Sequence, residues 1–208
     1  PDGGRAGYRV RVLDNELDEL LPELPAIAIE GPRGVGKTAT ALRRARTVYR
    51  LDDKDERAIA RADPGRLTRG EPPILIDEWQ RLPESWDRVR RAVDDQRPRG
   101  RFLLTGSAAP THLPTHSGAG RIITLRMRPM TLFERGVGSP SVSLRDLLGG
   151  RRDRVDGRTD VGLDEYAHEL VASGFPAIRG HTERARRAQL DGYLHRVIDR
   201  DVGEAGRE

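Results

Sequence analysis

Residues 26–38, AIAIEGPRGVGKT, restrict the possible folds of this chain more than any other stretch. A short apolar run is followed by Gly31-Pro32-Arg33-Gly34-Val35-Gly36-Lys37-Thr38, with the spacing G-x-x-x-x-G-K-[ST], and then by the helix-prone TATALRRAR at 38–46. Strand, glycine-rich turn and helix in that order open a parallel β–α unit. The glycines let the backbone close into a concave nest of N–H groups with no Cβ in the way. A helix start at the same place adds its positive dipole end. Such a cradle suits a phosphate, held by Gly31, Pro32, Arg33, Gly34, Val35, Gly36, Lys37, Thr38 and Ala39. Lys37 would reach the β- and γ-phosphates of a nucleotide, and the Thr38 hydroxyl would bind Mg²⁺. Composition sharpens this assignment. Of 37 basic residues only Lys37 and Lys54 are lysines. An otherwise arginine-using chain thus keeps a compact ammonium where the loop needs one.

The remaining pattern extends the same architecture. Residues 8–21 predict a lead-in segment and an amphipathic helix, with Asp14 or Asn15 as its N-cap and Leu13, Leu17, Leu20 and Leu21 on one face. Strands are predicted at 26–30, 48–53, 72–79, 101–107 and 121–127, and helices at 38–46, 55–63 and 84–96. Apolar strands alternating with helices predict an α/β protein whose parallel sheet is covered on both faces. Residues 149–162, rich in Gly, Arg and Asp, read as a linker or loop between a domain at 1–148 and a C-terminal helical region at 163–208. In that region 163–172 and 182–202 are expected to be helical, with Leu190, Leu194, Val197 and Ile198 as an apolar stripe.

Hydrolysis needs more than a phosphate cradle. Ile74-Leu75-Ile76-Asp77-Glu78 places two carboxylates at the end of a buried strand, where acids are costly without a task. Asp77 would orient the metal's coordination shell together with Thr38, and Glu78 would align or deprotonate the attacking water. Thr105, polar after an apolar run, would contact the γ-phosphate or that water. Arg121, just before the fifth strand and after the loop 108–120, is the best placed of many arginines to reach a neighbouring subunit's nucleotide. His112 and His116 stand four apart, but Pro and Gly around them forbid a helix and no third ligand is evident, so a metal site is not expected there. Arg184, Arg186, Arg187, Arg196 and Arg200 read as a solvated face.

The absence of cysteine excludes disulfides and thiol chemistry and is compatible with a reducing cytosol. Apolar runs are strand-sized, so no membrane span is expected. The net charge of +4 is small beside 37 basic and 33 acidic residues, and the two signs are interspersed. Aromatic residues make up only 4% of the chain, few stacking platforms for bases, which argues against nucleic acid as a partner.

Taken in order, Tyr8-x-x-Arg11, IEGPRGVGKT, LDD (51–53), LIDEWQRLPE (75–84), RFLLTGSA (101–108), SGAGRIITLRMRPMTLFERG (117–136), SGFP (173–176) and YLHRVIDRDV (193–202) span almost the whole chain. This series resembles prokaryotic AAA+-type P-loop ATPases that carry a C-terminal region of poorly known function. The resemblance implies a P-loop NTPase three-layer sandwich with strand order 5-1-4-3-2, the strand bearing Thr105 lying between the first and third. It implies ATP and Mg²⁺ as cofactors, Walker A and B roles for Lys37, Thr38, Asp77 and Glu78, and a nucleotide-site role for Thr105 and Arg121. Gln80 falls on a recurring position of no assigned chemistry. Members of the family continue well past Arg200-Asp201, so this chain is expected to hold the ATPase domain and only the start of the C-terminal region. Three functions follow: an Mg-dependent ATPase, a nucleotide-responsive binding module with little hydrolysis, and, with least support, a DNA-associated ATPase. A homo-oligomer is an expected partner for the first.

Overall fold

A computed structural model describes residues 7–96, 99–106 and 118–198. Five strands form one all-parallel sheet: β1 Ala26–Glu30, β2 Thr47–Arg50, β3 Ile74–Asp77, β4 Phe102–Gly106 and β5 Ile122–Arg126. Their order is β2-β3-β4-β1-β5, the expected 5-1-4-3-2 read from the other edge. Ala26 lies beside both Phe102 and Ile122, and Glu30 beside both Gly106 and Arg126. The five strands therefore end together, on the side where the loop after β1 emerges.

Alternation along the strands separates two cores. Ala26, Ala28, Ile74, Ile76, Phe102 and Leu104 face one side, against Trp86, Val89 and Val93 of α4 (Glu84–Gln96). Ile27, Ile29, Leu75 and Leu103 face the other, against Leu13 and Leu17 of α1 (Val12–Leu20) and Ala41 of α2 (Lys37–Leu42). Successive side chains point to opposite faces of a strand, so a sheet with helices on both sides needs apolar residues at every position. The central strands β3 and β4 are buried throughout. This is the three-layer α/β sandwich.

Local chemistry sets the helix ends. Asp53 caps α3 (Lys54–Ala62), accepting from the Asp55 and Glu56 amides. The first helix begins earlier than its leucine spacing suggested. Arg11 is its N-cap, and Asp14 sits inside the first turn, accepting from the Arg11 amide at 2.7 Å. A carboxylate three residues in can satisfy an orphan amide as well as a cap residue can. The helix after the glycine loop stops at Leu42, short of the predicted residue 46.

Beyond β5 lie α5 (Leu132–Arg135) and α6 (Leu144–Leu148), too short for periodicity to reveal. Residues 151–162 carry no helix or strand. Three helices follow: α7 Leu163–Ala172, α8 Pro176–Arg179 and α9 Glu183–Arg196. Leu194 and Ile198 of the expected apolar stripe are exposed. Arg186, expected on a solvated face, is instead buried. Arg184, Arg187 and Arg196 are exposed, as expected. His112, His116, Ser107 and Arg200 lie outside the described residues. No helix among the described residues is long and apolar enough to cross a membrane.

Candidate nucleotide site

The loop between β1 and α2 closes on its own lysine. Lys37 is buried, and its Nζ donates to the carbonyls of Gly31 at 2.8 Å and Pro32 at 2.9 Å. Burial pushes its ammonium below the usual lysine range and the charge of Arg33 adds to that, while Glu78 and Asp77 oppose it. Both carboxylates therefore act on the lysine through space, at one end of the sheet. Gly36 caps α2 at φ 110°, in the left-handed region that favours glycine. At Gly31 a Cβ would stand 2.2 Å from the Met127 carbonyl oxygen, so the residue after β1 has no room for a side chain.

Asp77 ends β3, nearly inaccessible to solvent. Its Oδ1 accepts from the Thr38 hydroxyl at 2.7 Å and also from the Thr105 hydroxyl. Adjacent strands thus join the start of α2 to the carboxylate across the sheet top. Thr105 sits on β4, between the β1 and β3 strands, and is wholly buried. Its Oγ1 also accepts from the Glu78 amide at 3.3 Å. Glu78 follows in left-handed backbone (φ 56°, ψ 46°), a conformation costing about 1–3 kcal/mol for a non-glycine residue. Its carboxylate accepts from Gln80 Nε2 at 2.7 Å.

A cavity of about 520 Å³ opens over this group, lined by Arg33, Gly34, Gly36, Lys37, Thr38, Ala39 and Glu78, with Pro176 and Ala177 as its far wall. A second, of about 470 Å³, shares Gly36, Ala39 and Pro176 and runs along Gly7, Tyr8, Arg9 and Arg11 to Arg179. The volumes are those of small-molecule sites. Thr38 and Asp77 offer a hydroxyl and a carboxylate on neighbouring oxygens, the hard donors that suit Mg²⁺ when phosphate oxygens and water complete its shell. No cluster of three or more His, Asp or Glu side chains able to hold an ion without such help is found among the described residues.

Arg121 is not brought to this group. It precedes β5 and stands at the opposite end of the sheet, about 16 Å of strand from the loop at the usual rise per residue. Its Nε pairs with Asp94 at 2.5 Å.

Two segments near the site were only parts of a motif series in the sequence. Arg11 is buried. It donates from Nη1 to the Val35 carbonyl at 2.8 Å, from Nη2 to the Arg128 carbonyl at 2.7 Å and from Nε to Glu134 at 3.0 Å. It fastens the glycine loop to the segment after β5. Tyr8 donates to Asp14 and shares a 2.7 Å hydrogen bond with Thr40 of α2. Burial pushes its hydroxyl up to about 12. From the C-terminal side, Phe175 packs beside Gly34, and Pro176 beside Gly36. Glu169 of α7 anchors that side by accepting from Arg179 and Arg135. The Arg179 bonds, foremost, hold its carboxyl at about 2.

A protein-family model described as an AAA domain matches residues 23–135. Two uncharacterized proteins, from Mycobacterium bovis and Mycobacterium tuberculosis, are each 28% identical over 204 residues, 91% of this chain. The chain spans 39% of their length. A solved structure of a RuvB variant from Thermotoga maritima aligns at 23% identity and a TM-score of 0.38, covering 61% of this chain and 50% of that one.

Proposed function

We propose that this chain, which belongs to the AAA domain family and is in general terms a P-loop ATPase, binds ATP with Mg²⁺ and hydrolyses it at the β1–α2 loop. One observation carries this reading: the hydroxyls of Thr38 and Thr105 converge on a single Asp77 carboxylate oxygen at the end of the sheet that holds the buried Lys37. The triphosphate would lie in the 520 Å³ cavity, with Lys37 leaving its two loop carbonyls for the β- and γ-oxygens. Base and ribose would extend into the adjoining cavity along Gly7, Tyr8 and Arg9. Mg²⁺, held by Thr38 and Asp77 directly or through water, would neutralise charge on the phosphate oxygens.

Glu78 lines the cavity and would take the proton of the attacking water. The water oxygen bonds to the γ-phosphorus, the bond to the β–γ bridging oxygen breaks, and ADP and phosphate leave. Thr105 would fix Asp77 and the Glu78 amide, and turning its hydroxyl from Asp77 to the γ-phosphate would make it a sensor of that group. Arg121 would act on the nucleotide of a second copy, since its own lies at the far end of the sheet. That makes turnover dependent on a homo-oligomer. In this reading residues 1–148 are the ATPase domain, 149–162 a linker, and the part from 163 onward a C-terminal region.

Phosphate release by wild type and Glu78→Gln, with nucleotide binding measured on the same samples, tests the reading. Turnover should fall about 10²–10⁴-fold in the variant while affinity changes little. Equal turnover would remove Glu78 from the chemistry.

A second reading is favoured by Pro176 and Ala177 in the cavity wall. Nucleotide there touches the C-terminal helices, so binding alone would be transmitted to a partner surface. Protection of 163–198 from protease by Mg-ATP, without phosphate release, would select it.

A further inference from the structure

We infer that Gln80 is the positioning residue for Glu78, holding its carboxylate toward the nucleotide cavity. This rests on the hydrolysis reading above and assigns a role to a side chain beyond the loop and the acid pair. Three local irregularities meet within three residues. Glu78 adopts left-handed backbone although it has a Cβ. Gln80 gives its amide Nε2 to the Glu78 carboxylate at 2.7 Å. The other end of that amide, Oε1, is buried and has no hydrogen-bond partner among the described residues, and neither has Trp79 Nε1. Folded proteins rarely leave buried polar atoms unpaired, and the exceptions gather where function outweighs local stability.

The surroundings fix the amide's orientation. Turning it over would set its oxygen against the carboxylate, so the N–H side must face Glu78. From below, β4 closes the space. A Cβ on Gly106 would stand 2.8 Å from Gln80 Oε1 and 2.5 Å from Trp79 Nε1. Glycine at the end of β4 is what lets this turn sit down on the sheet. Thr105, one residue earlier, holds the Glu78 amide and Asp77. Glu78 is thus gripped twice, by its backbone from β4 and by its carboxylate from Gln80. A carboxylate that must meet a water in one direction loses rate when either grip is released, because misplacement costs more in the transition state than in the bound ground state.

Gln80→Glu tests this, since it keeps size and shape while replacing the donor with an oxygen that repels Glu78. Gln80→Met removes the donor without adding charge and serves if the paired carboxylates unfold the turn. In steady-state phosphate release, kcat should fall roughly 10–100-fold in either variant, with KM for Mg-ATP within about threefold of wild type. In a Glu78→Gln background, Gln80→Met should lower the residual rate no further, because the residue acts only through Glu78. Unchanged kcat in both variants, a change confined to KM, or the same fractional loss repeated in the Glu78→Gln background would overturn the inference. An inactive Glu78→Gln beside a fully active Gln80→Glu refutes this inference alone. Equal turnover in wild type and Glu78→Gln refutes the hydrolysis reading, and this one with it.

Discussion

Replacing Arg11 by Met leaves the buried stem and removes the guanidinium. Three hydrogen bonds go with it, to the Val35 carbonyl, the Arg128 carbonyl and Glu134. The side chains of Arg11 and Glu134 are 4% and 5% exposed, so the carboxylate cannot turn to solvent for compensation. Breaking a buried pair from one side costs about 3–5 kcal/mol. Glu134 keeps the amides of Val12 and Thr131 at 2.8 and 2.7 Å, which places the loss at the lower end, about 3 kcal/mol. For a protein of this size that is about 6–12 °C in Tm. The assay is urea unfolding of wild type, Arg11→Met and Arg11→Met/Glu134→Gln. The double variant should recover part of the loss, since it no longer buries an uncompensated charge. Amides of Thr131 and Val12, together with Arg11, hold the Glu134 carboxyl below the usual carboxylate range despite burial pushing it up. A depressed carboxyl contributes stability above its unfolded value and loses it as pH falls. The gap between wild type and Arg11→Met should therefore narrow below about pH 4.5, where unfolded glutamates protonate. A loss under about 1 kcal/mol at pH 7, or a double variant no better than the single, would show that Arg11 does not fasten the glycine loop to the segment after β5.

Glu169, held at about 2 by Arg179 first and Arg135 next, supports the C-terminal helices at neutral pH and should release them as pH falls from about 4.5 toward 2. Glu169→Gln should make proteolysis of residues 163–198 faster at pH 7 and nearly independent of pH in that range; protection equal to wild type would exclude the anchor. Gly106→Ala forces a methyl into Trp79 and Gln80 and should cost about 1–3 kcal/mol in chemical unfolding. An unchanged unfolding midpoint would mean the turn after β3 is looser than its contacts imply.

The phosphate loop and the acid pair were legible because each is a local pattern, a glycine spacing or carboxylates after an apolar run, whereas the order of strands came only from the family resemblance. Apolar strands alternating with helices predicted a sheet covered on both faces, which is where the two cores lie. What escaped depends on distant partners. Nothing in the sequence of Arg11 says that its guanidinium meets residues 35, 128 and 134, more than a hundred positions apart at the extreme. SGFP entered the sequence reading only as one segment of the motif series, and it packs on the loop through Phe175 and Pro176. Arg186 was grouped with solvated arginines by its spacing on a helix, yet that stretch of α9 turns inward and buries it. Thr105 was expected to face a phosphate or a water. Its hydroxyl donates to Asp77, a cross-strand contact set by the register Asp77 to Thr105.

If the β1–α2 loop is the nucleotide site, Lys37 and Asp77 serve one ligand. Equilibrium titration of Mg-ATP into wild type, Lys37→Ala and Asp77→Asn measures that directly. Wild type should saturate at one nucleotide per chain. Lys37→Ala should bind at least about 100-fold more weakly, the loss of a charge-assisted contact of about 3 kcal/mol. Asp77→Asn should lose the Mg²⁺ dependence of whatever binding remains. Three proteins that bind Mg-ATP alike would contradict the account, because the nucleotide would then be held somewhere other than the cradle at the end of β1.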